Sequence, residues 1–154
     1  MEWIKSYFKT VEKTSLQEIY DKLFTSFWEQ HKERVEKLYQ ELSNCLELKS
    51  FSFLFIHEGK KHRAEITQYM LETKPCIEIS FAIAYQVDMY DDLDKYELIN
   101  KMPMLSQVMA SYGKVKTYYY DISRSLYNFK LILASTNSDK CLRVSLWCGD
   151  PEFL

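Results

Sequence analysis

Five carboxylates crowd the segment YQVDMYDDLDKYE, which runs from Tyr85 to Glu97: Asp88, Asp91, Asp92, Asp94 and Glu97, with Lys95 as their one basic neighbour. Tyr85, Tyr90 and Tyr96 are interleaved among them. Acids at this density repel one another and call for compensation by helix-start amides, a cation or a basic partner. A calcium loop of the EF-hand kind needs acids at alternating positions around a central glycine. No glycine interrupts these acids, which argues against such a loop. Helix capping and a partner-facing acidic surface are the two readings left. The second makes Asp88, Tyr90, Asp91, Asp92, Asp94 and Glu97 partner-binding candidates.

Tyr118-Tyr119-Tyr120-Asp121 is the other aromatic concentration. On a strand, Tyr118 and Tyr120 share one face and Tyr119 points to the other. One face is expected to be core. The other would show the hydroxyl-tipped aromatic surface that interfaces favour, so Tyr118, Tyr120 and Asp121 join the candidates. Ordinary β-propensity of tyrosine explains the same run without a partner.

Catalytic and metal chemistry find little to use. His57, Glu58 and His62 bracket a turn, but Lys60 and Lys61 would repel a cation there and the helical H-E-x-x-H spacing is absent. His31 sits in a polar stretch and is expected in solvent. There is no G-x-S-x-G, no Walker loop and no dinucleotide fingerprint. Any chain with 22 acids can pair two of them, so that signal is empty. No catalytic residue, metal or cofactor is expected.

The elements that must position these residues are read from periodicity. Residues 2–11 carry Trp3, Ile4, Tyr7, Phe8 and Val11 as a helical stripe. Ser15-Leu16-Gln17-Glu18 has the form of a capping box, and a long helix is expected from there to Leu46, with a kink or an overhanging end at the polar stretch 29–34. The period then becomes two. Strands are expected over 51–56, 63–71 and 76–87, the first two joined by a turn at Glu58-Gly59-Lys60 and the last two separated by Lys74-Pro75. Residues 91–112 read as helical and Pro103 splits them into a pair. Strands over 114–122, 126–134 and 141–148 complete the chain. The fold class is α+β: a largely antiparallel sheet of about six strands, packed by a long N-terminal helix and a central helix pair. Phe53, Phe81 and Ile83 are expected in its core.

The chain has 154 residues, which fits a single domain spanning 1–154. Aromatics make up 16% of it, while Gly and Pro number 3 each, too few for Gly-rich phosphate loops or long linkers. The formal charge of −2 argues against a dedicated nucleic-acid binder, and the short basic run Lys60–Arg63 reads as a solvated hairpin turn. No apolar run approaches the roughly 20 residues of a membrane helix. The N-terminus is too charged for a signal peptide. Cys45, Cys76, Cys141 and Cys148 form no C-x-x-C and read as free thiols of a cytoplasmic protein.

In size, mild acidity, aromatic richness and α+β order, the chain resembles the small cytoplasmic immunity proteins of bacterial toxin–immunity systems of the contact-dependent inhibition type. Asp88–Glu97 and Tyr118–Asp121 are the pieces that carry the likeness. It implies a non-catalytic protein that neutralises a partner by binding its active site or an essential surface. The partner would be a cognate toxin domain, basic if it is a nuclease. The basic turn at Lys60–Arg63 departs from a uniformly acidic face. Two other classes stay open: a secretion-type chaperone or adaptor, which needs an exposed apolar groove and a homodimer, and a small enzyme or ligand-binding domain, which needs a deep polar pocket.

Overall fold

Ser15 accepts a hydrogen bond from the Glu18 amide at 3.2 Å and opens helix α1, Leu16–Glu41. The computed structural model describes residues 15–44, 47–84, 98–120 and 127–149. The helix expected over 2–11 lies outside them. So do Asp88, Tyr90, Asp91, Asp92, Asp94, Glu97 and Asp121.

At 26 residues α1 is roughly 39 Å long and unbroken. The polar stretch 29–34 does not interrupt it: Trp28 and Val35, two turns apart, share one buried face. The polar residues have a task instead. The Gln30 amide donates to Ile56 O at 2.6 Å and accepts from Ile56 N at 2.8 Å. His31 Nε2 bonds Leu54 O at 2.7 Å, and its ring lies 5.1 Å from that of Phe53. His31 is therefore half-buried rather than in solvent, since its ring packs under the sheet edge. Lys140 Nζ donates to the carbonyls of Tyr39 and Gln40 in the last turn of α1, at 2.7 and 2.9 Å.

Six strands follow: β1 Lys49–His57, β2 Lys60–Leu71, β3 Lys74–Ala84, β4 Lys114–Tyr120, β5 Tyr127–Thr136 and β6 Cys141–Gly149. They form one sheet in the order β1-β2-β3-β6-β5-β4. Every neighbouring pair is antiparallel except β3 and β6. Glu58 and Gly59, both at positive φ, make the tight β1–β2 turn. Lys60, Lys61 and Arg63 beside it are exposed. Lys74 and Pro75 begin β3 rather than break a strand, because the turn falls one step earlier at Glu72 and Thr73.

The central helix pair is not seen as expected. Its first part lies outside the described residues, leaving a single turn α2, Leu98–Lys101, and one eight-residue helix α3, Pro103–Ala110. Met102 gives α3 no side-chain cap. Asp21 of α1 supplies one from a distance, accepting the amides of Leu105 at 2.8 Å and Met104 at 3.3 Å. After α3 the chain enters β4 through Gly113, at φ 143°, where a Cβ would stand 2.4 Å from Thr136 O, so only glycine fits.

α1 and α3 lie on one face of the sheet. Phe24, Phe27, Phe53, Phe55 and Phe81 interlock beneath them, with the Phe27–Phe81 centroids 5.4 Å apart and near-perpendicular. Phe53 and Phe81 are core, and Ile83 is partly buried against it. No described helix is long and apolar enough to cross a membrane.

Candidate functional site

The other face of the sheet carries no described helix. Strand register decides which side chains it presents, because directly paired residues point to the same side. Tyr120 pairs with Lys130 and Lys130 with Trp147; Lys116 pairs with Ala134 and Ala134 with Arg143; Arg143 pairs with Glu78. One surface therefore displays Lys116, Tyr118, Tyr120, Lys130, Trp147, Arg143, Glu78 and Tyr69. The pattern that buries Ile77, Ile79 and Phe81 on one side puts Glu78 and Ser80 on the other.

A polar network holds the middle of this face. Glu78 Oε1 accepts the Tyr69 hydroxyl at 2.7 Å and lies 3.5 Å from Arg143 Nε. Glu78 Oε2 accepts Ser145 Oγ at 2.9 Å and Ser80 Oγ at 3.4 Å. Arg143 Nη1 donates to the Tyr69 oxygen at 2.8 Å. The Arg143 and Glu78 side chains are only 15% and 16% exposed, so each charge depends on the other. Burial, then the neighbouring Cys76 and the bond to Glu78, pushes the Tyr69 hydroxyl far above its ordinary range. The hydroxyls of Ser80 and Ser145 are donated to a carboxylate with no histidine in the relay. This is a clamp across β2, β3 and β6, not a nucleophile with its base.

The aromatic and cationic side chains lie toward β4. Tyr118, Tyr119 and Tyr120 are 38%, 45% and 45% exposed. The Tyr118 and Tyr120 rings stack at 6.5 Å and 17° on the open face. The expectation that one side of this run is core does not hold, because β4 is the edge strand and Tyr119, on the helix side, is itself exposed. Lys130 Nζ sits 3.9 Å above the Trp147 ring, and burial lowers its pKa. A cleft of about 390 Å³ lies between the β2–β3 turn and β4, lined by Lys74, Lys116, Tyr118, Tyr120, Cys141 and Arg143 among others.

The electrostatics of this surface were not anticipated. On β4, β5 and β6 its described charged groups are Lys114, Lys116, Lys130 and Arg143; the acids beside them are Glu78 on β3 and Glu72, which lines the cleft. Of the nine candidate residues, the structure describes Tyr118 and Tyr120 and brings both into this cationic setting. Tyr69, Glu78, Lys130, Arg143 and Trp147 escaped the sequence reading. The only signal was alternation: Glu78-x-Ser80 and Arg143-x-Ser145 put polar groups on the face opposite the oily one.

At the β1 edge, Gln30 and His31 occupy the outward backbone groups of Ile56 and the Leu54 carbonyl, which blunts that part of the edge. The His57–His62 pair is accounted for locally: His57 Nδ1 bonds Ser26 Oγ at 2.7 Å and the His62 ring packs 5.7 Å from Phe55. Among the described residues no group of three metal-ligating side chains converges. No protein-family model, curated protein or solved structure matches the chain.

Proposed function

We propose that the chain is a non-catalytic binding protein that neutralises a partner protein, in the manner of an immunity protein covering a cognate toxin domain, and that the open sheet face beside β4 is where the partner sits. The observation that carries this reading is the stacked, exposed Tyr118–Tyr120 pair beside Lys116 and above a cleft floored by Arg143. Tyrosine supplies large contact area at little entropic cost, and tyrosine and arginine both recur at binding hot spots. A rigid sheet presents them, and the Glu78–Arg143 clamp keeps that sheet in one geometry.

The charge of this surface sets the partner's chemistry. Lys114, Lys116 and Lys130 favour a protein that offers carboxylates to β4 and β5. The basic partner inferred from Asp88–Glu97 rests on acids that lie outside the described residues. A single-stranded nucleic acid also suits cations and aromatics, but the net charge of −2 disfavours it.

The test is co-expression with the toxin domain encoded by the adjoining reading frame. The chain is expected to restore growth and to bind that domain directly. Tyr118→Ala/Tyr120→Ala is expected to weaken binding by at least about 100-fold, the scale of two hot-spot side chains, at unchanged Tm. Full protection by the double variant, or binding of single-stranded DNA in place of the protein, would overturn the reading.

A further inference from the structure

Cys76 on β3 and Cys141 on β6 are directly paired across the one parallel junction of the sheet. Both side chains point to the open face and are buried, packing with Ala134, Tyr69 and Leu71. Neighbouring strands stand about 4.7–4.9 Å apart, inside the roughly 4.4–6.8 Å between Cα atoms that a disulfide spans. The paired register therefore puts the two thiols within the range a bridge spans. Cys148, by contrast, belongs to the core under the helices.

The two sulfurs are not equivalent. The Cys76 thiol reaches the Ile77 carbonyl at 3.7 Å, and its ionisation is pushed up, while the neighbouring Cys76 thiol lowers that of Cys141. Burial works against the Cys141 thiolate, and the Arg143 and Lys74 cations work for it. Cys141 also lines the cleft, which gives a small solute a route to it. Cys76 is more deeply held and is the natural resolving thiol.

We propose that Cys76 and Cys141 form an oxidisable dithiol whose substrate is a small peroxide. The Cys141 thiolate attacks one peroxide oxygen, the O–O bond breaks and hydroxide leaves, taking a proton to become water. Cys141 is then a sulfenic acid. The Cys76 sulfur attacks it and loses its proton, the S–S bond forms, the S–O bond breaks and a second water leaves. Two thiols lose two electrons and one hydrogen peroxide becomes two waters. The product ties β3 to β6, the strands through which the two three-stranded halves of the sheet meet. It does so in the floor of the cleft beside Tyr118 and Tyr120, and a thiol reductant reverses it.

The experiment treats the full chain with one equivalent of hydrogen peroxide, alkylates remaining thiols and maps the digest by mass spectrometry. The expected product is a Cys76–Cys141 cross-linked peptide, lighter by two hydrogens. Its Tm is expected to be about 10 °C above that of the reduced chain, because the bridge closes a long loop, and dithiothreitol should restore the original value. Cys76→Ser is expected to leave a sulfenic acid at Cys141 that dimedone captures. A bridge involving Cys45 or Cys148, dimedone capture at Cys76 in the Cys141→Ser chain alone, or no cross-link in the wild-type chain would overturn the proposal. The wild-type result does not depend on how either variant folds.

Discussion

Phe81→Ala is expected to remove about 3–5 kcal/mol of stability, read as a lower midpoint in urea at unchanged slope. Phe81 is 1% exposed, and its ring meets Phe24, Phe27 and Phe55 at 6.1, 5.4 and 6.0 Å, all near-perpendicular. It is where α1, β1 and β3 interlock, so no single neighbour can move into the space it leaves. Edge-to-face rings also contribute beyond their buried area. A small loss would mean that β3 turns its other side to the helices, which would put Glu78 in the core and dissolve the surface described above.

Glu78→Ala is the second large effect. It leaves the Arg143 guanidinium, 15% exposed, without its carboxylate, and takes the acceptor from the Tyr69, Ser80 and Ser145 hydroxyls, leaving the two serines only their mutual bond at 2.8 Å. Breaking such a pair from one side costs about 3–5 kcal/mol. Replacing both charges, as Glu78→Leu/Arg143→Met, should recover a large part of that loss, since a buried ion pair adds little beyond an apolar pair of similar volume. If the double replacement were as unstable as Glu78→Ala alone, the network would be contributing through the serines and Tyr69 rather than through charge.

Much of the architecture was legible because its causes are local. The N-cap at Ser15, the turn at Glu58-Gly59 and the alternation from Cys76 to Ala84 each act within a few residues, and each stands where the local pattern put it. What was misread depends on partners distant in sequence. The polar stretch 29–34 looked like a helix defect, yet Gln30 and His31 are polar because they satisfy the backbone of β1. Nothing local to Asp21 marks it as the cap of a helix that reaches it from 83 residues away. The surface was the least legible part. Glu78 and Arg143 meet only because β3 and β6 lie side by side and parallel, and no property of either strand specifies that neighbour. Tyr118 and Tyr120 could be assigned to one side of β4 with Lys116, but the other cations near them come from β3, β5 and β6. The acidic candidates from Asp88 to Glu97, and Asp121, lie outside the described residues.

Hydrogen exchange of the full chain, alone and with a saturating amount of the proposed cognate toxin domain, tests the binding surface most directly. Protection concentrated in the amides of β4 and the β2–β3 turn, with α1 exchanging as in the free chain, is the predicted footprint. Protection confined to α1 and the β1 edge, with Lys114–Tyr120 unchanged, would contradict it.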